Sequence, residues 1–145
     1  MSILPREFYN RPTLTVARQL IGARLVRVLD GIKLIGVITE TEAYISENDL
    51  ACHCKAGRTP RTAVMFEEPG HAYVYFTYGN HHMLNLVCGP EGSAGAVLIR
   101  ALEPLLGIDV MLARRHGRGG RDTANGPGKV AQALGIDYAP FDPAH

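Results

Sequence analysis

Apolar and polar positions run along this chain in short stretches whose period shifts from helical to extended and back. Leu14, Ala17, Leu20 and Ile21 recur at helical spacing and predict a short helix over 13–21, with Gly22 placed to stop it. Residues 24–29 and 32–42 predict a hairpin around Asp30-Gly31, a strong two-residue turn signal. Residues 46–63 are polar and turn-rich and predict a long functional loop with a helical turn near 48–52. A second hairpin is expected over 71–88, turning at Gly79-Asn80. The near-continuous apolar run 94–102 predicts a central strand, and 107–115 a helix. The glycine-rich stretch GRGGRDTANGPG reads as a mobile connection, and GKVAQALGI as a short helix capped by Gly135. No repeat is visible. Strands dominate over short helices, so the expected fold class is α+β.

Totals narrow the picture modestly. The 145 residues suit one domain, and 46% apolar with 20% charged residues is ordinary for a soluble globular protein. A net charge of +1 advertises no global attraction to nucleic acid. Two local basic clusters stand out: Lys55 to Arg61, and Arg114, Arg115, Arg118 and Arg121. Neither a signal peptide nor an apolar run long enough to span a bilayer is visible, so no membrane partner is expected. Three cysteines, an odd number, argue for a reducing compartment rather than a disulfide framework.

Candidate chemistry comes from ionisable and polar residues inside strands, where an unpaired buried charge costs several kcal/mol. Glu40 and Glu42 close the second strand and, two apart, point the same way. Neighbouring carboxylates can tune one of a pair into a general base, and a solvated strand end is the plainer reading. Arg100 cannot lose its proton and must find an acceptor. Glu103 would make it structural, whereas Glu42 would make the pair a clamp for a nucleophilic water. Asn85 sits on one face with Met83 and Val87. It needs hydrogen bonds or a ligand, and capping a stray backbone group is the commoner use. Tyr73 and Tyr75 share a face, as packing pairs would. Tyr78 has the opposite parity and sits at the turn, where a flat ring suits contact with nucleic-acid bases. Cys52, His53 and Cys54 raise a metal module as a rival reading, but adjacent side chains diverge and the spacing is not that of zinc ligands. No metal site is assigned.

Several segments together resemble one family. ETEAY (40–44), ACH (51–53), RTPR (58–61), PGHAYVYFTYG (69–79), Asn85, LIRALEP (98–104) and NGPGKVAQALGI (125–136) are similar, in order and spacing, to the alkyladenine, or 3-methyladenine, DNA glycosylases. The resemblance implies a curved, mainly antiparallel sheet with short helices and a protruding hairpin that intercalates into DNA. It implies an enzyme that flips damaged purines out of duplex DNA and hydrolyses the N-glycosidic bond, leaving an abasic site. Glu42 would activate the water and Arg100 help hold it. Tyr44 and His53 would stack on one side of the flipped base and Tyr75 on the other. Asn85 would reject normal guanine, and Tyr78 would fill the vacated stack. Arg58 and Met65 match positions near the DNA. No cofactor is implied. The active-site motifs hold no lysine, which favours simple hydrolysis over Schiff-base chemistry. The implied partner is double-stranded DNA containing damaged purines, met by a monomer in the cytoplasm, at the nucleoid in a bacterium.

The chain departs from that pattern at Cys52 and Cys54, and at its end. The family continues for some tens of residues beyond the ALGI helix, and a backbone carbonyl from that tail helps bind the catalytic water. The expectation is therefore one domain over 1–145, C-terminally truncated. The alternative function is a catalytically impaired protein that binds lesions without releasing the base.

Overall fold

A computed structural model describes residues 3–45, 69–77, 81–89 and 95–136. Among these residues, five strands form one sheet: β1 (Arg24–Leu29), β2 (Ile32–Ile45), β3 (Ala72–Thr77), β4 (His81–Val87) and β5 (Gly95–Leu106). Their order is β1-β2-β5-β4-β3 and every pairing is antiparallel. The expected apolar run is thus central, as β5, and extends to Leu106. Among the described residues, four short helices join the sheet: α1 (Arg6–Tyr9), α2 (Thr13–Leu20), α3 (Ile108–Arg114) and α4 (Pro127–Leu134). The architecture is α+β, as the sequence pattern predicts. Among the described residues no helix is long and apolar enough to cross a membrane.

Local chemistry explains most of these elements. The β1–β2 turn places Asp30 at φ 51° and Gly31 at φ 80°. Both central residues are therefore left-handed, which matches the twist of a tight hairpin and closes it on the pair Leu29–Ile32. Helix α4 starts with Pro127, whose missing N–H has no partner to lose, and ends on Gly135 at φ 66°.

Helix α2 forms where its period places it but turns a different face inward. It buries Thr13, Val16, Ala17 and Leu20, while the expected Leu14 and Ile21 are each 47% exposed. Packing against β5 accounts for the rotation. A Cβ at Gly95 would collide with Thr13 Oγ1, so a residue without a side chain lets the polar end of the helix seat on the sheet.

One face of the sheet carries the core. Leu34, Ile38, Val74, Leu84, Val97, Ile99 and Leu102 pack with Val16, Ala17 and Leu20 of α2, Met111 of α3, and Val130, Ala131 and Leu134 of α4. Cys88 joins this cluster as a free thiol, and burial pushes its pKa up to about 12. It behaves as a small apolar residue rather than as a nucleophile.

The glycine-rich stretch expected to be mobile is built into the fold. Residues Gly120–Thr123 form a 3-10 turn, Thr123 and Ala124 are buried, and the Leu102 N–H donates to the Ala124 carbonyl at 2.8 Å. Arg115 holds the turn. It is 7% exposed and donates to the Thr123 carbonyl at 3.0 Å, to Gln132 Oε1 at 2.6 Å and to the Asp122 carbonyl at 3.1 Å. The expected basic cluster is accordingly no uniform cationic patch. Arg115 is internal, Arg114 donates to the Gln132 carbonyl and Arg118 lies 3.9 Å from Asp122.

Candidate active site

Glu42 owes its position to a paired irregularity in the sheet. On β2, Leu34 and Ile38 face the helices before the break, and Thr41 and Ala43 face them after it. The inward set thus switches from even to odd numbers. The register shows where: Ile38 opposes Leu102, Glu40 opposes Ala101 and Thr41 opposes Ile99, so Thr39 and Arg100 are left without register partners. On β5 the inward set switches in step, from Val97 and Ile99 to Leu102. A one-residue slip moves every later side chain to the other face. Without it, Glu42 and Tyr44 would point into the helix-covered core. With it, they stand on the opposite face, and Arg100 projects from the break beside them.

There Glu42 is gripped from two sides. Arg100 Nη1 donates to Glu42 Oε2 at 2.7 Å and the Tyr44 hydroxyl donates to Glu42 Oε1 at 2.5 Å. Both ionic side chains stay partly open, at 43% for Arg100 and 38% for Glu42. The hydrogen bond with Glu42 raises the Arg100 pKa, and the fields of Glu42, Glu40 and Tyr44 add to it. Glu40 is thus within electrostatic range of the pair. Glu40 also lines a groove of about 650 Å3 with Thr39, Glu103, Ile108, Thr123 and Asn125. The acceptor question for Arg100 resolves in favour of Glu42 rather than Glu103 among the described ion pairs.

A single rung crosses the sheet from this pair. Glu42 opposes Leu98, Leu98 opposes Asn85, and Asn85 opposes Tyr73. Tyr73, Asn85 and Leu98 are 5%, 2% and 3% exposed, yet none belongs to the helix-side core cluster. Asn85 Nδ2 reaches the Tyr73 and Met83 carbonyls, each at 3.4 Å. These are long bonds to its own hairpin, the backbone-capping use. The β3–β4 register continues past them, with Tyr75 opposite Met83.

The structure therefore brings Glu42, Arg100 and Tyr44 into contact and puts Asn85 on the same rung. His53, Arg58, Met65 and Tyr78, the cysteines flanking His53, the basic stretch Lys55 to Arg61 and the Tyr75 side chain lie outside the described residues. Among the described residues no group of three potential metal ligands converges. Lys129 is engaged away from this face, by Asp122 Oδ1 at 2.6 Å and Asn125 Oδ1 at 2.9 Å. Sequence reasoning missed the Tyr44–Glu42 bond. The two-residue spacing in ETEAY is the signal that could have found it.

The site is thus a half-exposed carboxylate fixed by an arginine and a tyrosine on the face away from the helices. The family model for methylpurine-DNA glycosylase (MPG) matches residues 7–144. A relative from Carboxydothermus hydrogenoformans is 54% identical over 135 residues, covering 93% of this chain and 70% of the relative. One from Chlorobaculum parvum is 53% identical over 137 residues, covering 94% and 66%. One from Methanocella arvoryzae is 51% identical over 140 residues, covering 96% and 70%. All three carry the name "Putative 3-methyladenine DNA glycosylase". The chain thus spans 66 to 70% of the length of these relatives. With nearly its whole length matched, this chain belongs to the methylpurine-DNA glycosylase family.

Proposed function

We propose that this protein is a monofunctional DNA glycosylase that releases damaged purines from duplex DNA. The observation that carries the reading is Glu42, half-exposed and held by Arg100 and Tyr44 on the face away from the helices. The lesion is flipped out of the stack so that its sugar carbon comes within reach of a water at Glu42. The water oxygen forms the bond to that carbon as the C–N bond breaks, and the bonding pair leaves with the base. For an alkylated purine the base departs neutral from a cationic nucleoside, and the water's proton passes to Glu42. The carboxylate also stabilises the positive charge that develops on the sugar. Arg100 keeps the carboxylate aimed. Tyr44, His53 and Tyr75 form the walls of the base seat, favouring electron-poor rings. Asn85 excludes normal guanine, Tyr78 fills the vacated stack, and Arg58 and Met65 lie along the DNA.

The test is base release from duplexes carrying one hypoxanthine or one alkylated purine, read as strand cleavage after alkali. Wild-type protein should give product above the buffer control. Glu42→Gln should lower the rate by about 10²- to 10⁴-fold, the usual worth of a general base, with lesion binding retained. Folded protein that retards lesion duplexes in a gel but releases no base would be a binding protein instead.

A further inference from the structure

We infer that Tyr44 is a positioning residue for the general base, acting through its hydroxyl and not only through its ring. The inference rests on the glycosylase reading above. A carboxylate held at one oxygen still turns about its terminal bond. Glu42 is held at both: Arg100 takes Oε2 and Tyr44 takes Oε1. Two donors on different oxygens fix the carboxylate plane, and each oxygen retains a second lone pair for the attacking water. The local fold makes this arrangement automatic. Glu42 and Tyr44 are two residues apart on one strand, so they share a face, and the break at Thr39 and Arg100 turns that face outward. Tyr44 therefore links the seat of the base to the aim of the carboxylate.

Tyr44→Phe separates the two roles, because it keeps the ring and removes only the hydroxyl. Single-turnover base release should fall about tenfold, a modest share of what small misplacements of a catalytic group cost. Affinity for the lesion duplex should stay within about twofold, since the ring remains. In a Glu42→Gln background the same substitution should change the residual rate by less than about twofold, because the group it positions is gone. A merely structural role would lower the rate equally in both backgrounds, and that result overturns the inference. So does a Tyr44→Phe protein that matches wild type, or one that loses binding in place of rate. Wild-type protein that releases no base overturns the glycosylase reading itself, and this inference with it. Thermal melts of all four proteins confirm that folded material is compared.

Discussion

Among the described residues, two arginine–carboxylate centres are built on opposite plans. Arg115 is 7% exposed and spends its donors on the Thr123 and Asp122 carbonyls and on Gln132, tying the 3-10 turn to α4. Asp122 is shared among Arg115, Arg118 and Lys129. Arg100 is 43% exposed, and its bond to Glu42 faces open space. At the first centre the arginine itself is internal and its fork is spent on fixed acceptors, as a structural knot requires, since an unmet buried polar group costs about 1–3 kcal/mol, while Asp122 lies at its solvent-exposed rim. The second leaves lone pairs on a fixed carboxylate beside solvent, which a water-activating site requires. Residue type does not separate them. What separates them is how much hydrogen-bonding capacity is left over.

The largest expected effect lies at the knot. Arg115→Leu removes three hydrogen bonds at once and strands the buried Thr123 carbonyl, so the protein should lose about 3 kcal/mol of stability. Urea unfolding measures it. The single-turnover rate per folded molecule should be unchanged. Arg115→Lys, which keeps the charge but not the fork, should fall between. An Arg115→Leu protein as stable as wild type would break the contrast, because the knot would then hold nothing.

Arg100→Lys should show the reverse profile. Exposed ion pairs contribute about 0–1 kcal/mol, so unfolding should move little. A lysine offers a point charge without the planar fork and aims the carboxylate less well, so base release should slow by about tenfold. Equal losses of stability and rate would mean that Arg100 belongs with Arg115 as a structural group.

Much of this was legible in the sequence, and the misses share a cause. Hairpin β1–β2, strand β5 and helix α4 follow from turn residues, apolar runs and caps, which are local signals. Helix α1 and the 3-10 turn span four residues each, too few to show a period. Glu42 and Arg100 were visible as ionisable residues in otherwise apolar strands. Their pairing was one of two options, with Glu103 the other, and the sequence could not choose, because the slip that aims them together is a property of two strands whose paired residues lie 58 apart in the chain. The same blindness made Arg114 to Arg121 read as a charged patch and the glycine-rich stretch as mobile. The Arg115 hydrogen bonds that contradict both readings join the end of α3, the 3-10 turn and α4 across separations of 7, 8 and 17 residues, which follow no periodic pattern. Glu40 falls inside the break, opposite Ala101, so strand alternation carries across to Glu42 only in part, and it is Glu40's field that reaches Arg100.

The smallest effect is electrostatic and lies at the rim of the knot. The hydrogen bond from Lys129 holds the Asp122 carboxyl below its usual value of 3.8, with Arg115 and Arg118 adding their fields. A carboxylate with a depressed folded pKa stabilises the fold fully above its unfolded pKa. That contribution is lost as pH falls through the lower, folded value. Thermal midpoints should therefore decline as pH falls below the usual carboxylate value of 3.8, with Asp122→Asn flattening part of that limb. Asp122 is open to solvent, so salt should shrink its share, on a Debye length of about 10 Å at 0.1 M. The Arg115 hydrogen bonds to backbone carbonyls carry no titrating acceptor and should survive both treatments. If Asp122→Asn instead removes as much stability as Arg115→Leu, the knot is held by its ion pairs and not by the arginine's grip on the backbone. The contrast between a saturated centre and an open one would then have to be redrawn around charge rather than hydrogen-bonding capacity.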